Sequence, residues 1–198
     1  DVWFGGTEAG NAIADVLFGN YNPSGKLTAT FPRNTGQIPL YYNHKNTGRP
    51  YDGSGFPKFK SNYLDVSNDP LFPFGFGLSY TQFRYSELSL SKKEIKPAEK
   101  LQVKVTVTNT GDYDGEETAQ LYIRDLVASL TQPVKELKGF QKVFLKKGES
   151  RELVFTLGAS DLMFFNNELK YLYEPGDFEV FVGTSSVEVK KAAFTLLK

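Results

Sequence analysis

Between residues 88 and 196 run after run places apolar residues on every second position, and this period decides what the chain can fold into. Alternate side chains of a strand share one face, so such a run is a half-buried strand that must find a second sheet to cover it. Leu101, Val103, Val105 and Val107 alternate with Gln102, Lys104, Thr106 and Thr108, the cleanest case in the chain. Leu88 and Leu90 alternate in the same way with Ser89 and Ser91. Ala119, Leu121 and Ile123 come next, with Gln120, Tyr122 and Arg124 expected outward. Leu153, Phe155 and Leu157 repeat the pattern, as do Phe178, Val180 and Val182. Leu137 to Leu145 and Val187 to Leu196 are further strand regions. Asn109-Thr110-Gly111-Asp112, Lys146-Lys147-Gly148-Glu149 and Pro175-Gly176 supply the turns between them.

Seven or so short strands with regular turns predict an antiparallel sandwich of the immunoglobulin or fibronectin type III kind. The sequence contains no cysteine, which favours the fibronectin-like version and excludes a disulfide framework or a thiolate metal site. Basic and acidic residues balance at 23 each, so neither a nucleic acid nor an anionic membrane is implied as partner. No run approaches the roughly 18 apolar residues that a membrane span needs.

The part before the sandwich reads differently. Val2-Trp3-Phe4, closed by Gly5-Gly6, looks like the last residues of a buried strand already inside a domain, and the chain is expected to be cut from something longer. Thr7 is expected to cap a helix that carries Glu8 in its first turn, where the dipole favours an acid. Ala9, Ala12, Ile13, Val16 and Leu17 then share one helical face. Gly19-Asn20 ends the helix, Asn22-Pro23-Ser24-Gly25 reads as a turn, and Leu27 to Phe31 reads as a strand closed by Pro32. This is the tail of an α/β unit, which cannot cover its own apolar face. Residues 32–69 are turn-rich, yet Tyr41, Tyr42, Tyr51, Phe56, Phe59 and Tyr63 argue for an ordered loop lying on a surface. The stretch Pro70 to Phe83 packs five aromatic rings among two glycines and two prolines and is expected to dock the two unlike parts together.

Candidate chemistry is sparse. His44 is the sole histidine, and a surface or loop-packing role is expected ahead of a sugar-contacting one. Asp112, Asp114, Glu116 and Glu117 crowd one hairpin; without the EF-hand spacing they read as a solvated acidic turn and not as a calcium site. Trp3 could stack on a sugar ring, but burial under a neighbouring sheet is expected. Glu8 could serve as an acid–base group, but dipole chemistry accounts for it. No phosphate loop, HExxH or nucleophile elbow occurs. No cofactor and no metal are expected.

Several motifs together resemble one family. Gly5-Gly6-Thr7-Glu8-Ala9-Gly10, Ala12 to Gly19, Asn22-Pro23-Ser24-Gly25-Lys26-Leu27 and Thr30-Phe31-Pro32 are similar to the close of the α/β sandwich domain in family 3 glycoside hydrolases. Gly36-Gln37-Ile38-Pro39, Tyr42-Asn43-His44 and Thr47-Gly48-Arg49-Pro50-Tyr51 resemble the linker of that family's periplasmic β-glucosidase branch. Leu71 to Phe83, Val107 to Gly111, Pro133 to Phe140 and Glu174-Pro175-Gly176-Asp177-Phe178 are similar to its C-terminal fibronectin type III-like domain. The resemblance implies a β-sandwich preceded by the tail of an α/β sandwich domain. It divides the chain into 1–31 (α/β remnant), 32–83 (connecting loop and aromatic junction) and 84–198 (fibronectin type III-like domain).

The same resemblance implies a retaining β-glucosidase, periplasmic or secreted, that meets its β-glucoside or oligosaccharide through domains outside this chain. Retaining chemistry needs a carboxylate nucleophile and a carboxylic acid–base. In the family these lie on the barrel and earlier in the α/β domain, so no catalytic residue carries over. Ser160-Asp161 is a false match to the nucleophile motif, because Asp161 to Phe165 matches the C-terminal domain instead. The fragment is therefore expected to be structural and inactive by itself. The rival reading is a free-standing carbohydrate-binding or adhesion module.

Overall fold

A computed structural model describes residues 1–50 and 58–198; the expectations for Tyr51, Phe56 and Asp52-Gly53-Ser54-Gly55 lie outside the described residues. In chain order the elements are α1 (Ala9–Leu17), β1 (Phe83–Tyr85), β2 (Ser89–Leu90), β3 (Glu94–Ile95), β4 (Lys100–Asn109), β5 (Gly115–Asp125), β6 (Glu136–Leu145), β7 (Ser150–Gly158), β8 (Phe164–Phe165), β9 (Tyr171–Leu172), β10 (Gly176–Gly183) and β11 (Val189–Leu196). Residues 83–196 form two sheets packed face to face, with β8 and β9 as a separate two-stranded hairpin. In one, β4 pairs with β7 on one side and with the short β1 and β2 on the other. The other runs β3-β11-β10-β5-β6, antiparallel except where β3 joins β11 in parallel. The mainly β, fibronectin type III-like architecture expected from the period-two pattern is the one observed.

The core is the apolar half of that pattern. Leu101, Val103, Val105 and Val107 of β4 meet Ala119, Leu121 and Ile123 of β5, with Phe155, Phe178, Val180 and Phe194 filling between the sheets. Each large side chain so buried is worth roughly 1.5–3 kcal/mol in transfer terms. Asn109, fully buried at the end of β4, is satisfied on every side. Its amide donates to the carbonyls of Tyr113 and Leu145, and its Oδ1 accepts from the Thr81 hydroxyl at 2.6 Å. That bond ties the aromatic junction to the crossing from one sheet to the other.

The leading segment departs from expectation in four places. Val2, Trp3 and Phe4 form no strand and are exposed, because no neighbouring strand among the described residues pairs with them. Thr7 lies outside the helix; α1 begins at Ala9 with Glu8 at the cap position and no side-chain cap bond. Asn22 to Gly25 forms no turn, and Asn22 reaches across the molecule. Its amide donates to the Asp114 carbonyl, and its Oδ1 accepts from Ser79 Oγ and Tyr80 N.

Leu27 to Phe31, the fourth, forms no regular strand and clips onto the aromatic stretch instead. Leu27 N donates to Phe76 O and Gly75 N to Leu27 O, both at 2.8 Å, and a single bridge joins Phe31 to Phe72. The prolines and glycines of the stretch interrupt what would otherwise be a continuous ladder. The end of α1 is as expected: Gly19 takes a positive φ of 81° just past the last turn, the backbone state that glycine accepts without strain.

Candidate functional site

The organised polar chemistry lies on the outer face of the five-stranded sheet and at one end of the sandwich. Gln120 and Tyr122 were expected to face solvent from β5, but they are only 4% and 0% exposed. The reason lies outside the strand: residues 42–45 and 72–77 lie over this face. The Tyr42 ring stacks on Phe74 with centroids 4.3 Å apart and meets Tyr122 edge-on at 5.7 Å. The Tyr122 hydroxyl donates to Gln120 Oε1 at 2.5 Å, and Gln120 Nε2 donates to the carbonyls of Gly75 and Thr184. Burial pushes the Tyr122 hydroxyl well above its usual range, so it serves as a neutral donor. Gly75, at φ 79°, is crowded by the Gln120 amide; a Cβ there would collide with it. The loop is pinned again where Val134 N donates to His44 O at 2.9 Å.

At one end of the sandwich, a cavity of about 460 Å³ opens between residues 23–26, residues 77–83 and the strand ends at Glu116-Glu117, Thr184 and Glu188. Its floor is a buried ion pair. Lys26 Nζ lies 3.1 Å from Glu117 Oε2 and donates to Thr184 Oγ1 at 2.7 Å. The Tyr85 hydroxyl donates to Glu117 Oε1 at 2.8 Å. Burial first, and then the Glu117 charge, raises Tyr85 far above the ordinary phenol range. At the cavity mouth Glu116 pairs with Lys142 at 2.8 Å and accepts from Ser24 Oγ at 3.1 Å. The Lys142 bond, helped by Ser24 and Tyr21, holds the Glu116 carboxyl below its usual range.

Asp112 and Asp114 are exposed, as expected of a solvated acidic turn, but the neighbouring glutamates depart from that reading. Glu117 is 3% exposed and works inside the seam. Asp112 pairs with Lys147, and Asp114 accepts from Lys147 N, so the four acids engage three different lysines. Among the described residues no group of acids and histidines is placed to hold a metal ion.

The other candidates lie apart, none lining the cavity. Trp3 is exposed, not buried under a sheet. Glu8 accepts from the Asn11 amide at 2.6 Å. His44 sits exposed on the loop, its Nδ1 beside the Lys45 carbonyl. Asp161 accepts from Gly158 N at 2.7 Å and caps a short 3-10 turn.

The residues that organise the site, Lys26, Tyr85, Gln120, Tyr122 and Thr184, escaped sequence reasoning. Tyr122 on a nominally wet face was the one available signal, since a tyrosine there asks for cover. What the arrangement does chemically is to hold two stretches of chain together. The carboxylates of Asp112, Asp114, Glu116 and Glu117 are each taken by a lysine, hydroxyl or backbone amide.

Comparison with known proteins finds the chain similar to parts of longer glycoside hydrolases. A family model described as "Glycosyl hydrolase family 3 C-terminal domain" matches residues 1–80, and one described as "Fibronectin type III-like domain" matches residues 117–186. The chain is 51% identical over 197 residues to the periplasmic beta-glucosidase of Salmonella typhimurium, covering 100% of this chain and 26% of that protein. It is 45% identical to a beta-xylosidase of Formosa agariphila, covering 94% of this chain and 25% of that protein. A crystal structure of a mutant beta-glucosidase from Listeria innocua in complex with laminaribiose superposes with a TM-score of 0.95 at 46% identity, covering 100% of this chain and 27% of that one. The chain thus spans about a quarter of the length of the relatives it matches.

Proposed function

The chain belongs to glycoside hydrolase family 3, and we propose that it serves as the non-catalytic C-terminal part of a retaining β-glucosidase. The carrying observation is the match along the whole chain to β-glucosidases four times its length, joined to a seam in which Glu116 and Glu117 are engaged in holding structure. In this reading residues 84–198 are the brace, residues 32–83 the strap laid over it, and residues 1–31 the part that meets the catalytic domains. The substrate is a terminal β-linked glucoside, bound through domains outside these residues. The name of the Salmonella relative supports a periplasmic or secreted location, and no helix among the described residues is long and apolar enough to cross a membrane.

The test is hydrolysis of an aryl β-glucoside by two proteins. The longer protein that contains this sequence is expected to release the aryl group, and the 198-residue chain is not. Turnover by the 198 residues alone, abolished by Asp161→Asn or Glu8→Gln, would overturn the assignment. Inactivity of the longer protein on aryl β-glucosides and β-xylosides alike would turn the reading toward the rival, a carbohydrate-binding or adhesion module.

A further inference from the structure

We propose that strand β6 and helix α1 form one docking surface, covered by the part of the longer protein that lies outside these 198 residues. The inference rests on the function proposed above and goes beyond it. The sandwich itself, and not residues 1–31 alone, meets the remainder of the protein.

Strand β6 breaks the alternation that β4 obeys. On β4 the positions turned away from the core are Gln102, Lys104, Thr106 and Thr108. On β6 they are Phe140, Lys142 and Phe144, and the two rings are 66% and 48% exposed. Val143 and Leu145 already bury the inner side of the strand, so the sandwich core does not require these rings. Gln120, opposite Phe140, is held by the Gly75 carbonyl; the covering stretch therefore reaches the border of β6 and leaves the ring open. Apolar surface left open in this way marks an interaction site.

Three contacts carry the strip on to the helix. Phe144 is paired with Glu116, and paired strand residues share a side. Glu116 Oε2 accepts from the Tyr21 hydroxyl at 3.4 Å. Tyr21, half exposed, donates its N–H to Asp15 O at 3.1 Å, beside the open end of the α1 stripe at Leu17. Lys142 puts no bare charge in the strip, because Glu116 pairs with it at 2.8 Å.

Length and charge select the occupant. The chain spans 26% of the Salmonella relative, so about three quarters of such a protein is left to supply the cover. Residues 1–25 contain Asp1, Glu8 and Asp15 but no lysine or arginine. Glu8 and Asp15 hold asparagine amides and, among the described residues, no cation. A second copy docked by symmetry would set these acids against themselves. The matching surface is apolar, with lysine or arginine at the rim that faces α1.

Hydroxyl-radical footprinting of the 198-residue chain and of the longer protein reads side-chain exposure without substrate, so it fails separately from the hydrolysis test. In the longer protein Phe140, Phe144, Leu17 and Phe18 should label at least about threefold more slowly, as the core of an interface does. Phe165 and Tyr171 on the β8–β9 hairpin have similar exposure but, among the described residues, no bond to residues 1–31, and should keep their rate. Slowing that persists on dilution supports cover from within one chain; slowing that vanishes on dilution would assign the surface to a second copy and overturn the proposal. Unchanged labelling of Phe140 and Phe144 beside protected Leu17 and Phe18 would overturn the joint surface while the function proposed above stands. An equal fall at Phe165 and Tyr171 would overturn it as well.

Discussion

Strand β4 and helix α1 both carry an uninterrupted apolar stripe, but they meet different fates. In β4 the stripe Leu101-Val103-Val105-Val107 is sealed between two sheets. In α1 the stripe Ala9-Ala12-Ile13-Val16-Leu17 contains no buried residue, and Leu17 is 71% exposed. Periodicity states which face a segment wants covered; it does not supply the cover. Residues 84–198 contain both halves of their own core. Residues 1–31 hold one half of an interface and grip the sandwich through polar groups: Asn22, Ser24 and Lys26, with Tyr80 donating to Val16 O at 2.6 Å. The sandwich is thus held by area, and the leading segment by a few directed bonds.

That contrast can be broken most forcefully at Val105. Val105→Asp places an unpaired charge between the sheets and should cost more than about 4 kcal/mol, enough to abolish the cooperative melt. A variant that melts like the parent would refute the assignment of that face to the core.

Lys26→Ala should cost about 3–5 kcal/mol of seam stability, because Glu117 is left as a buried, uncompensated charge. The loss should appear as faster amide exchange at Leu27 and Phe31 while Val103 to Val107 keep their protection. The Lys26→Met, Glu117→Leu double variant should recover most of it. Equal loss in both regions would mean that the seam and the sandwich open together.

Alkaline pH probes the same seam. The folded state holds Tyr85 neutral well beyond the pH at which the unfolded phenol, with its usual value near 10, gives up its proton. Stability is therefore complete below about pH 10 and falls above it, by up to roughly 1.4 kcal/mol for each further unit. Tyr85→Phe should flatten that part of the denaturation profile.

The smallest effect belongs to α1. Leu17→Ser with Phe18→Ser should move the midpoint by no more than about 0.5 kcal/mol for each change, because neither side chain loses cover. A larger drop would show that the helix packs in solution against something the present geometry leaves open.

Much of the sandwich was legible because a period of two is written in every strand. Val105 and Phe155 announce their burial by their neighbours alone. The seam was not legible, because its partners are far apart in sequence: Lys26 meets Glu117, and Tyr42 lies over Tyr122. Lys26 and Glu117 each look like ordinary surface charges in their own segments. The outward expectation for Gln120 and Tyr122 fails for the same reason; strand alternation predicts which side a residue takes, not what a distant segment lays over it. The Leu27 to Phe31 segment shows the converse limit. Its composition suits a strand, but its partner is a proline- and glycine-broken stretch that allows only scattered bonds.

The parallel pairing of β3 with β11 has a consequence for synthesis. Thr195 and Leu196 lie beside Glu94 and Ile95, and among the described residues β11 is the only strand that connects β3 to the rest of its sheet. As the chain leaves the ribosome β3 emerges about a hundred residues before its neighbour, and β10 waits with one side open. The first sheet can assemble as soon as β7 appears; the second cannot close until β11 has been made. A nascent chain halted before Val189 would carry β10 as an uncovered edge, the kind of surface that recruits strands from other chains.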